Sequence, residues 1–137
     1  MKVTIAVDFD GTIVTHAFPE IGDEVPDALR YLKQLQADGH TIILYTMRGN
    51  KLQRKYLDEA TAWLKERGFT PDFVNENPSQ HEWTDSPKVH ADFVIDDRSI
   101  GVPLMWHKGH AVVRWTGVMC DLRNRLHSIK PITDTEQ

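Results

Sequence analysis

The chain has 137 residues, enough for one domain with a core that needs no disulfide or metal staple. Its composition is that of an ordinary soluble protein, and a formal net charge of −4 argues against broad attraction to nucleic acid or anionic membrane. The single cysteine, Cys120, excludes an internal disulfide and fits a reducing cytosol. With no leader-like N-terminus and no apolar run near the roughly 18 residues that span a bilayer, a cytoplasmic protein without a membrane partner is expected.

The first element is the run Val3 to Val7, apolar and β-branched, followed directly by Asp8-Phe9-Asp10-Gly11-Thr12. Side chains in a strand alternate faces, so Asp8 and Asp10 share one face while Phe9 takes the other. Gly11 permits a sharp exit that leaves both acids at the strand's carboxyl end, where open α/β sheets bind ligands. An Asp-Gly turn exposed to solvent has the same local appearance, so the remaining elements decide between the two. Residues 13–24 are irregular. Val25, Leu29, Leu32 and Leu35 recur at helical spacing, with Pro26 in the first turn and Gly39 at the end.

Thr41 to Thr46 reads as a second buried strand, Met47 to Asn50 as a loop, and Asn50 as an N-cap. Leu52, Tyr56, Ala60 and Leu64 predict a second helix ending at Arg67-Gly68. Phe73-Val74 reads as a short third strand. The polar stretch Asn75 to Pro87 is the longest loop and hence a candidate for function. Ala91 to Asp97 is a fourth strand that again ends in paired acids, and Arg98 to Gly109 reads as irregular. Ala111 to Trp115 is expected as a short edge strand, Thr116 to His127 as a last helix, and 130–137 as a frayed polar tail beyond a domain of residues 1–129.

Strands alternating with helices predict right-handed crossovers and a mostly parallel sheet in a three-layer Rossmann-like α/β domain. Parallel strands present their carboxyl ends on one edge, so Asp8, Asp10, Thr46, Asp96 and Asp97 are expected to converge there. Like charges about 4 Å apart repel by on the order of 4 kcal/mol at an effective dielectric near 20. Four gathered carboxylates therefore call for protons or cations. An all-oxygen ligand set favours Mg²⁺ over zinc. The hydroxyl of Thr46 and the ammonium of Lys88 would complete a phosphoryl site.

In that order, Asp8-Phe9-Asp10-Gly11-Thr12, Thr46, Lys88 and Ile95-Asp96-Asp97-Arg98 resemble the four signature motifs of the haloacid dehalogenase-like hydrolase superfamily. The resemblance covers Val3 to about Leu126. It implies Asp8 as the nucleophile that forms an aspartyl-phosphate, and Asp10 as the acid for the leaving oxygen and base for water. Thr46 would bond a phosphoryl oxygen and Lys88 would orient Asp8 and the phosphate. Mg²⁺ would be held by Asp8, by the main-chain carbonyl of Asp10, and by Asp96 with Asp97. An acid two residues after the nucleophile resembles the phosphatases of that superfamily. Neither interval that usually carries a cap is long enough for one, so the chain looks like a small capless member with no separate cap domain.

The expected activity is Mg²⁺-dependent hydrolysis of a phosphate monoester on a phosphorylated small molecule. Rivals are the same chemistry on polynucleotide or protein phosphate ends, a phosphomutase, or a non-catalytic phosphate-binding regulator of the same fold. A homo-oligomer is one way to cover a capless site. Expected substrate contacts are Gly11, His16, Arg48, Gly49 and Asn50, with Asn75 and Asn77 in the long loop. The cluster Lys51, Arg54 and Lys55 reads as a solvated helix face, Trp83, Trp106 and Trp115 as packing, and His107, Lys108 and His110 as a polar turn.

Overall fold

The structure is a computed structural model and describes residues 1–128. The elements follow as β1 (Thr4–Val7), α1 (Ala28–Ala37), β2 (Thr41–Leu44), α2 (Tyr56–Glu66), β3 (Phe73–Val74), a 3-10 helix (Pro78–Glu82), β4 (Phe93–Ile95), β5 (Leu104–His107), β6 (His110–Val113) and α3 (Trp115–Ser128). The main sheet runs β3-β2-β1-β4 with every neighbouring pair parallel. Ile5, Ala6 and Val7 of the central β1 are all buried, the continuous apolar pattern of a strand covered on both faces. The result is a small three-layer, Rossmann-like α/β domain. Among the described residues there is no separate cap domain, and no helix is long and apolar enough to cross a membrane.

Each helix buries one apolar stripe: Leu29, Leu32 and Leu35 with Ala28 in α1, Ala60 and Leu64 in α2, and Val118 and Leu122 with Met119 in α3. Their starts differ from the sequence reading. Val25 is buried but belongs to the loop, its N–H donating to the carbonyl of Ile13, and the left-handed Asp27 (φ 68°) sets α1 to begin at Ala28. The second helix begins at Tyr56 rather than Leu52, which is exposed. Asn50 is not the adjacent cap. Its side chain reaches the first turn from upstream, accepting from the Asp58 N–H at 3.1 Å and donating to the Asp58 carboxylate at 2.8 Å.

Two further expectations are corrected. Residues 98–109 are not wholly irregular, since β5 pairs antiparallel with β6 around Lys108-Gly109. Both turn residues have positive φ, 50° and 81°, as the favoured two-residue hairpin requires. The stretch 111–115 is not an edge strand of the main sheet, because β6 belongs to this separate hairpin and Trp115 opens α3. The long loop of residues 75–87 carries the 3-10 helix and is mostly exposed, but it is tied down from within. Its buried Gln80 bonds the carbonyls of Ser86 and Lys88 and the N–H of His90. The expected tail 130–137 lies outside the described residues.

Candidate active site

The chain leaves β1 through a segment whose polar atoms are almost all committed. The Asp8 N–H donates to the Ile95 carbonyl (2.9 Å), tying the ends of β1 and β4 together. Phe9 points the other way, fully buried and edge-on to Trp63 with centroids 5.9 Å apart. Gly11 sits at φ 84°, and a Cβ there would lie 2.3 Å from Asp97 Oδ2 and 2.4 Å from His16 Nε2. Only glycine fits. Its carbonyl accepts from the Val113 N–H of the hairpin at 3.0 Å. The buried Thr12 joins both acidic segments, its hydroxyl in long contact with Asp8 Oδ2 (3.4 Å) while accepting from the Asp97 N–H (3.1 Å). The Thr12 carbonyl in turn receives the indole N–H of the buried Trp115 at 2.8 Å.

This scaffold brings Asp8, Asp96 and Asp97 together, with one carboxylate oxygen from each lying within 4.8 Å of the others. Asp96 Oδ1 accepts from the Arg98 N–H (2.9 Å), and Asp97 Oδ2 meets His16 Nε2 (2.8 Å). Asp97 Oδ1 is buried and has no hydrogen-bond partner. The Asp8 carboxyl is pushed from its ordinary 3.8 up to about 8, chiefly by burial, then by the Asp96 charge and hydrogen bonding with Asp97. A hard divalent cation suits three close carboxylates and an orphaned buried oxygen, and the all-oxygen set fits Mg²⁺. Asp8, Asp96 and Asp97 are the side chains able to hold it.

Asp10 does not join that group, so the expectation of four mutually repelling carboxylates is corrected to three. Its carboxylate is gripped by Arg48, with Nε to Oδ2 and Nη2 to Oδ1 both 2.8 Å. Arg48 is only 3% exposed and also donates to the carbonyls of Pro19 (3.4 Å) and Glu20 (2.8 Å). The bidentate anion partner expected for Arg48 is therefore an internal one, and its Nε–Nη2 fork is not free for substrate. Neighbouring Arg54 clamps the same loop, bonding Glu20 (2.8 Å) and Glu59 (2.7 Å), so this member of the basic cluster is structural rather than merely solvated.

A cleft of about 360 Å³ opens over these groups, lined by Asp8, Asp10, His16, Thr46, Arg48 and Asp96, with Phe18, Met47 and Arg98 around it. Thr46 is buried at the end of β2, its main chain paired with the Asn75 side chain at 2.8 and 3.0 Å and its hydroxyl oxygen accepting from the Arg48 N–H at 3.1 Å. Gly49 and Asn50 do not line the cleft and serve α2, Gly49 through its carbonyl to the Leu57 N–H. Asn77 caps the 3-10 helix, accepting from the Ser79 N–H. Lys88 is exposed, makes no ion pair with Asp8 among the described residues and does not line the cleft. The sequence reading missed Thr12 as a linking hydroxyl and Phe18 as part of the wall. Trp115 is a packing residue as expected, while its bond to Thr12 had no local signal.

No family model and no curated protein sequence matches the chain. Among solved structures it is similar to one described as the structure of the conserved protein coded by a locus from Bacteroides thetaiotaomicron. The two share 36% sequence identity over 91% of this chain and 93% of that one, with a TM-score of 0.73.

Proposed function

The chain belongs to the same family as that conserved Bacteroides protein, and we propose that it is a Mg²⁺-dependent phosphatase acting on phosphate monoesters. The observation that carries this reading is the gathering of Asp8, Asp96 and Asp97 at the strand ends, within 4.8 Å, beside an Asp10 fixed by Arg48. The motif resemblance to haloacid dehalogenase-like hydrolases supports it. So does the cleft, which gives an anionic group access to Asp8.

Asp8 attacks phosphorus through its carboxylate oxygen, forming an acyl phosphate as the leaving oxygen departs. Asp10 hands a proton to that oxygen and then takes one from the water that attacks the intermediate. Each Asp10 oxygen accepts one bond from Arg48 and keeps a second lone pair for this exchange. Thr46, with its hydroxyl oxygen held by the Arg48 N–H, directs its own proton at a phosphoryl oxygen. A bound Mg²⁺ supplies positive charge that offsets the acids and the transferring phosphoryl group. Lys88 is left as an outer electrostatic contributor that would have to swing inward to reach Asp8.

The test is hydrolysis of a generic aryl phosphate with Mg²⁺, with EDTA, and in Asp8→Asn protein. Turnover that needs both the metal and Asp8 supports the reading. Metal-independent turnover, or full activity in Asp8→Asn, sinks it.

A further inference from the structure

We infer that Phe18 and Met47 form a platform for the leaving group, selecting phosphate monoesters whose leaving group carries a flat aromatic ring. This inference rests on the phosphatase reading and names its substrate class. The starting point is an apparent mismatch: at the rim of an acid-lined cleft, Phe18 is 56% exposed and Met47 99% exposed. Apolar side chains at the mouth of a ligand cleft are available to an apolar part of whatever binds there.

The ring of Phe18 is fixed in place despite its exposure. It packs on Tyr56 with centroids 4.9 Å apart, and the Arg48 guanidinium lies 5.1 Å from its centroid. The main chain immediately after it is held by Arg48 at the carbonyls of Pro19 and Glu20, and Arg54 pins the Glu20 carboxylate. A rigid ring binds a ligand with little loss of conformational freedom.

The same guanidinium that lies against Phe18 grips Asp10, so the platform and the acid form one unit. Asp10 must meet the oxygen that leaves, and whatever hangs on that oxygen then lies beside Phe18. A ring in that place gains stacking geometry as well as buried area, whereas a polyol lacks the stacking. Arg48 has little left with which to recognise a polar leaving group, because four bonds to Asp10, Pro19 and Glu20 leave one of its N–H groups at Nη1.

The experiment uses the full chain with Mg²⁺ and has two arms. Calorimetry compares phenylphosphonate with methylphosphonate, and turnover compares phenyl phosphate and a nucleoside 5′-monophosphate with glycerol phosphate. Wild type is expected to bind phenylphosphonate more tightly, by roughly 5- to 100-fold, the range associated with ring stacking. That gap should narrow in Phe18→Ala and Met47→Ser but persist in Trp106→Ala, which removes an exposed aromatic outside the cleft. Met47→Ser decides the matter if Phe18→Ala fails to fold. Equal binding of the two phosphonates, no binding of phenylphosphonate, or a gap unchanged in both variants overturns the platform. Phosphonate binding with no ester hydrolysed counts instead against the phosphatase reading. Preference for phenyl phosphate over the nucleotide restricts the class to small aryl esters, and the reverse extends it to nucleobases.

Discussion

Arg48 meets both carboxylate oxygens of Asp10 across 38 positions of sequence, each bond 2.8 Å long, from a side chain almost wholly shielded from water. The fork fixes the acid's orientation, and planar geometry makes it specific to arginine. Arg48→Lys should therefore keep the charge yet lower kcat by about 10²-fold, the cost of misplacing a catalytic group by an ångström. Arg48→Ala should also destabilise the fold by roughly 3 kcal/mol, since it strands Asp10 and two carbonyls. Steady-state kinetics and thermal melts check both, and wild-type kcat in Arg48→Lys would remove Arg48 from the mechanism.

Asp10→Asn preserves the shape of the acid while removing the proton exchange proposed for it. The expected loss in kcat is roughly 10²–10⁴-fold. A pre-steady-state burst of product, if the acyl phosphate still forms with a good leaving group, would locate the defect in the water-activating step.

Asp8→Asn should abolish turnover and yet raise the melting temperature of metal-free protein at pH 8.5. Burial and the neighbouring Asp96 and Asp97 make the ionised Asp8 unfavourable in the folded chain, and the neutral amide escapes that cost. A residue kept for stability alone would show the opposite sign in the melt.

The pH dependence follows from the same shift. Burial and the neighbouring acids push the Asp8 carboxyl up to about 8 in the folded chain against an ordinary 3.8, so between these values the folded chain holds a proton that the unfolded chain has released. Stability of metal-free protein should therefore fall as pH rises from 4 to 8 and level off above, by on the order of 1–3 kcal/mol once partial solvent exposure is allowed for. Saturating Mg²⁺ should flatten the slope by favouring the carboxylate. Melts at several pH values, with Mg²⁺ and with EDTA, measure it directly.

Gly11→Ala should be among the most damaging small substitutions. It forces a left-handed backbone on alanine and drives a methyl group into Asp97 and His16. A loss of roughly 1–3 kcal/mol in stability and of Mg²⁺ binding by calorimetry is expected.

The parallel sheet and the α1 and α2 stripes were legible because apolar runs and four-residue spacings report burial directly. The gathering of Asp8, Asp96 and Asp97 was legible because parallel strands share one carboxyl edge. Arg48–Asp10 was not, because no local pattern in the sequence announces a partner 38 residues away. The hairpin of β5 and β6 was only partly legible: Lys108-Gly109 is a turn signal, but the strand before it, Leu104 to His107, reads with the irregular segment that precedes it. Asn50 was assigned to the right helix but the wrong distance from it, because a side chain can satisfy a first-turn donor across a bend that sequence proximity does not reveal.

The bond from the Trp115 indole to the Thr12 carbonyl joins positions 103 apart. During synthesis, the first acidic segment leaves the ribosome long before its anchor does. The nascent chain can form that segment early but must wait for α3 before the loop is locked. A product released early, before α3 is made, would carry Asp8 and Asp10 without the tether that keeps them aimed.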